Sequence, residues 1–248
     1  MKRALLIGFL LLLAAVGPNI FPAAQAGYST LPTLATRLLL PSLLILGGLT
    51  LALRRSQPDL ARAIVGGAAA GAVATAALEV IRLTGFHLGY MPGNLPRLMG
   101  VLLLDRFAQG PSPASDVVGW VYHFWNGAAF GIIYSLLFGT KRRWVGAAYG
   151  VALGIDFMVS PVVTSLGVGL FGLEFSYGFP VTLSLAHLAF GWSLAVLARR
   201  FDGPRSSPLL DAVRDWLSSH ERATELIQVN AQNSGLPLET RNGQRCDC

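Results

Sequence analysis

Six apolar runs, at residues 4–22, 37–53, 61–83, 117–138, 144–165 and 180–198, each approach the roughly 20 residues that a helix needs to cross about 30 Å of hydrocarbon. A chain that enters lipid must satisfy its own backbone hydrogen bonds, and runs of this length do so as helices. With 53% hydrophobic and 13% charged residues among 248, the chain has too little polar surface to coat a soluble globule. The sequence therefore predicts an all-α, polytopic membrane protein with six transmembrane helices.

The pI near 9.8 is compatible with nucleic-acid binding, but the basic residues do not form one patch. Lys2 and Arg3, then Arg54, Arg55 and Arg62, then Lys141, Arg142 and Arg143, then Arg199, Arg200 and Arg205 flank alternate ends of the spans. They read as topology signals that place both termini in the cytoplasm, and the expected location is a bacterial inner membrane with no nucleic-acid partner. The first span has a second reading as a signal peptide, with Ala24-Gln25-Ala26 as its cleavage site. Cys246 and Cys248 end the chain on the cytoplasmic side, where thiols stay reduced, so no structural disulfide is expected.

Three parts follow: two N-terminal spans over 1–59, a four-helix transmembrane core over 60–200, and a cytoplasmic amphipathic helix with a disordered tail over 201–248. The connection at 85–116 faces outward and contains an apolar stretch, Leu98 to Leu104, long enough only for an interfacial or re-entrant half-helix. Gly167-Val168-Gly169-Leu170-Phe171-Gly172 spells the dinucleotide fingerprint, but it leaves a membrane helix among aromatics instead of following a strand, so an interfacial loop is expected. Ser207 as N-cap and Pro208 at the first helical position open the last helix. Residues 207–227 have an apolar side but no basic face, which suits packing on the cytoplasmic loops, on a second copy or on another membrane partner.

Each core helix carries one ionisable residue on a stripe of small ones at four-residue spacing. The stripes are Gly67, Gly71, Thr75 and Glu79; Gly119, His123, Gly127 and Gly131; Ala148, Ala152, Asp156 and Ser160; and Ser184, His187, Gly191 and Ala195. Small residues let membrane helices approach closely, so Glu79, His123, Asp156 and His187 are expected between helices, together in the outer half. Arg82, Asn126, Ser160 and Ser184 stand near them as supporting groups. Gly67-xxx-Gly71 followed by His123-xxx-Gly127, and Gly146-xxx-Gly150 followed by His187-xxx-Gly191, suggest a parallel repeat in which each half supplies an acid and a histidine.

Three chemistries suit that set: a transition-metal site on His123, Asp156 and His187, a proton relay, and a bis-histidine haem b held by His123 and His187. Structural readings stand beside them. Glu79 has Arg82 one turn away as an ion-pair partner, and His123 and Asn126 are of the kind that hydrogen-bond neighbouring helices. The chain has no Gly-x-Ser-x-Gly elbow, no His-Glu-x-x-His and no phosphate loop, which weighs against an enzyme. The reading carried forward is a small carrier or metal- or proton-binding membrane protein. A haem- or metal-dependent membrane oxidoreductase and a ligand-free helix-packing partner are the alternatives.

Tyr122-His123-Phe124, Phe130-Gly131-Ile132-Ile133-Tyr134, Trp144-Val145-Gly146-Ala147, Asp156 with Ser160-Pro161, and Ala186-His187-Leu188-Ala189-Phe190-Gly191-Trp192-Ser193 ending in Arg199-Arg200 resemble the YagU-type bacterial inner-membrane proteins. The resemblance covers residues 60–200 and implies a small helical inner-membrane protein without a settled activity. It maps the family's histidines onto His123 and His187, with Asp156 where a third histidine would stand.

Overall fold

The computed structural model describes residues 2–139, 143–201 and 206–233. Every regular element among them is helical: α1 (Lys2–Gln25), α2 (Leu31–Ser56), α3 (Pro58–His87), α4 (Leu95–Leu103), α5 (Pro113–Phe138), α6 (Arg143–Val159), α7 (Pro161–Thr164), α8 (Gly178–Arg200) and α9 (Pro208–Asn233). Among the described residues, five helical segments are long and apolar enough to cross a membrane: α1, α2, α3, α6 joined to α7, and α8. The sixth expected span, α5, is 26 residues long but is not among them. Tyr122, His123, Trp125 and Asn126 interrupt its apolar character, and all four face protein or cavity more than lipid.

The expected boundaries shift where caps and prolines act. Pro58 starts α3 directly after Gln57, and α3 reaches 30 residues, about 45 Å at 1.5 Å per residue. The run at 144–165 is broken at Ser160, whose extended backbone and hydroxyl cap the short α7 ahead of Pro161. In α2 the residues Ala35–Leu39 form a π-turn before Pro41, where a missing N–H relaxes the regular ladder. The 167–172 stretch forms no strand–helix unit. It turns through Gly167, Gly169 and Gly172 at positive φ into a single 3₁₀ turn.

Two glycine seams hold the core together. Between α3 and α5, a Cβ on Gly71 would lie 2.1 Å from the Gly127 carbonyl oxygen, and one on Gly131 would lie 2.1 Å from that of Gly67. Between α6 and α8, a Cβ on Gly150 would lie 2.1 Å from the His187 carbonyl oxygen, and one on Gly191 would lie 2.0 Å from that of Gly146. Such backbone approach is open only to glycine, and in lipid close packing substitutes for the missing hydrophobic drive. The pairs join through α3 and α8, where Ala70, Ala74 and Leu78 meet Ala186, Phe190 and Leu194 in one buried cluster.

The additions on the flank also pack inward. α1 buries Ile7, Leu10 and Ala14 with Leu60, Ile64 and Ile132, and the Tyr122 hydroxyl donates to the Gly17 carbonyl at 2.7 Å. Tyr122→Phe should cost about 1 kcal/mol by freeing that buried carbonyl, read as a lower midpoint in thermal unfolding in detergent. α4 is the expected half-helix, and its Gly100 lies against Ser115 and Gly119 of α5. Arg97 on α4 pairs with Asp116 of α5 at 3.0 Å, and that carboxylate raises the guanidinium's pKa further. Ser207 caps α9 by accepting from the Leu210 N–H, and its hydroxyl donates to the Leu137 carbonyl. Ala212 is buried in the α1–α3 cluster, so α9 docks on this same chain and continues past 227 to Asn233. Cys246 and Cys248 lie outside the described residues.

Candidate ligand-binding site

The polar centre of the core is an ion-pair triad. Arg82 grips Glu79 through both oxygens, Nε to Oε1 at 2.7 Å and Nη2 to Oε2 at 2.6 Å. The His123 Nε2–H meets Glu79 Oε1, also at 2.7 Å. Glu79 and Arg82 are 4% and 2% exposed, which leaves little water to share the work of solvation. The i, i+3 spacing on α3 sets the first contact and the glycine seam sets the second, because it brings α5 close enough for an imidazole to reach across. Nη2 also points to Asn94 Oδ1 at 3.5 Å, whereas Nη1 is buried without a partner among the described residues.

Beside the triad lies a cavity of about 520 Å³. Arg82, His123, Asn126, Phe130, Leu153, Asp156, Phe157, Leu183 and His187 line it, so α3, α5, α6 and α8 all contribute, and α1, α4 and α7 add apolar walls. α5 and α6 approach near their arginine-flanked ends through the rings of Tyr134, Phe138 and Tyr149, and Tyr149 donates to the Phe130 carbonyl at 3.1 Å. The cavity occupies the gap between the same two helices toward their other ends.

The four predicted residues thus divide. Glu79 and His123 are bonded, and His123 and His187 line one cavity. His187 donates through Nδ1 to the Leu183 carbonyl at 2.8 Å and stacks on Phe157 with centroids 6.0 Å apart. Asp156 is exposed, as are Ala148 and Ala152, so the predicted α6 stripe is not the packed one. The packed stripe is Gly146, Gly150, Gly154 and Met158, because glycine permits closer backbone approach than alanine and wins the interface. Asp156 still lines the cavity, at its exposed margin. Ser184 is exposed and takes no part, whereas Thr182 of the same helix packs on Gly85. Asn126 lines the cavity with its Oδ1 buried and unpartnered among the described residues, and Ser160 is occupied with capping α7. Among the described residues no three His, Cys, Asp or Glu side chains are grouped to hold a metal ion.

The repeat is present in the packing, but with different partners from those expected. Gly67, Gly71 and Thr75 oppose Gly131 and Gly127 as Gly146, Gly150 and Gly154 oppose Gly191 and His187. In that register Glu79 corresponds to Met158 and His123 to Leu183, and those two are neighbours in one apolar cluster. One half of the repeat therefore holds the ion pair where the other holds a hydrophobic contact. The signal was available in Gly67-Ala68-Ala69-Ala70-Gly71 against Gly146-Ala147-Ala148-Tyr149-Gly150, and in Ala129-Phe130-Gly131 against Ala189-Phe190-Gly191. Aligning the two histidines slips the second helix by one turn and hides it.

No curated protein and no solved structure matches the chain. A family of unknown function, DUF6789, matches residues 61–208, which are the core helices and their approach to α9. That stretch coincides with the part that resembles the YagU-type proteins, and the match carries no YagU-type identity. The triad, the cavity and both glycine seams fall within it, and the chain belongs to the DUF6789 family.

Proposed function

We propose that the protein is a six-span inner-membrane protein, its C-terminus cytoplasmic, that binds a small organic molecule in its four-helix core and acts as a binding or carrier protein. One observation carries this reading: the cavity of about 520 Å³ is lined by all four core helices and bordered by a buried ion pair. Ligand sites are typically concave, about 300–1,000 Å³, mostly apolar and furnished with a few fixed polar groups. Buried charges in a membrane helix are expensive and mark pathways or ligands by default. An organic ligand suits the walls better than a metal or haem, since Glu79 and His123 are already committed to each other and Nδ1 of His187 to a carbonyl.

Mass spectrometry of organic extracts from detergent-purified protein tests the proposal. A molecule should co-purify with the wild type and be lost from Leu153→Trp, which fills the cavity, while the elution volume and helical content stay unchanged. Equal recovery from both proteins would remove the cavity from the proposal.

A further inference from the structure

We infer that the ligand is an acid with an apolar tail, its carboxylate or phosphate oxygens held by the unused edge of the Arg82 guanidinium; this rests on the ligand-binding reading above. The guanidinium presents five N–H donors in a fixed fork. Glu79 takes the edge formed by Nε and Nη2. Among the described residues the other edge consists of Nη1, which has no partner, and the second Nη2 hydrogen, which meets only the long Asn94 contact. A buried unsatisfied donor on a charged group costs more than a neutral one, so this edge stores a demand for an acceptor.

No group of the triad supplies that acceptor. Glu79 already receives both Arg82 bonds and the His123 bond, and His123 is itself a donor to it. The triad therefore has donors in excess, and an anionic oxygen pair matches the fork with charge-assisted bonds about twice as strong as neutral ones. The remaining lining is apolar at Leu78, Met91, Phe130 and Phe190, which accommodates a chain or ring. Asp156 lies on the α6 wall of the same cavity and repels an anionic head there, which leaves the α3 wall as the place for it.

Isothermal titration of the full-length protein in a non-ionic detergent, with probes that differ only in the head, reads this out. Dodecanoate and lysophosphatidate should each bind at least 10-fold more tightly than methyl dodecanoate and dodecylammonium. Whichever of the two binds more tightly shows whether a free acid or a lipid headgroup is the natural source. Arg82→Lys keeps a charge for Glu79 but lacks the second edge. It should weaken the acid at least 10-fold, leave the ester unchanged and elute as the wild type does. Equal binding of acid and ester, or preference for the ammonium probe, would overturn the assignment and leave the cavity reading standing. Absence of binding by every probe, together with no co-purifying molecule, would overturn both.

Discussion

Gly71→Ala should sharply reduce the yield of monodisperse protein, and Gly71→Leu should eliminate it. The first added carbon would stand 2.1 Å from the Gly127 carbonyl oxygen, 2.9 Å from its carbon and 3.0 Å from Gly131 Cα, all of them backbone atoms. No rotamer change relieves a clash with backbone, so α3 and α5 must separate, and that separation pulls His123 away from Glu79. Overpacking of this kind costs about 1–3 kcal/mol or more per site, and here it also strands a buried charge. Gly150→Ala should behave the same way, since its added carbon would meet the His187 carbonyl at 2.1 Å. Gly47→Ala is the control, because nothing lies within 4 Å of its Cβ position. There helix propensity alone acts, and stability should rise by up to about 1 kcal/mol. Size-exclusion profiles and thermal unfolding in detergent distinguish these outcomes, and a Gly71→Ala protein as stable as Gly47→Ala would refute the seam.

How much of this was legible beforehand follows from what each residue type signals. Length and hydropathy predict six spans, and α5 is the one the structure does not return as apolar enough, because its aromatic and polar residues dilute the measure while burying themselves in the core. Four-residue periodicity placed Glu79 and His123 correctly, because Gly67, Gly71, Gly127 and Gly131 leave one candidate face on each helix. It misplaced Asp156, because α6 carries two small-residue stripes side by side and spacing alone does not rank alanine against glycine. The cavity was not legible at all. It lies between α5 and α6 beyond the Tyr134, Phe138 and Tyr149 ring contacts, and periodicity within single helices carries no signal of a gap between two of them. The pairing of Glu79 with Arg82 was visible as a helical neighbour relation and is observed, whereas the His123 contact with Glu79 and the place of Arg82 on the cavity wall depend on how the helices pack.

That triad sets the second large effect. Arg82→Leu leaves the Glu79 carboxylate, 4% exposed, with His123 as its remaining partner, and Glu79→Leu leaves a guanidinium buried against apolar walls. Breaking a buried pair from one side typically costs about 3–5 kcal/mol, because the surviving charge is neither solvated nor matched. Each single variant should therefore unfold or aggregate in detergent well below the wild-type temperature. The double variant Glu79→Leu with Arg82→Leu removes both charges and replaces them with hydrocarbon, and buried pairs exchanged this way are often neutral or even stabilising. Its stability should return close to that of the wild type, less the one hydrogen bond that His123 loses with Glu79. Ligand recovery should not return with it. A double variant that is stable yet empty assigns the ion pair to binding, while one that is as unstable as either single variant would make the pair a structural requirement of the fold.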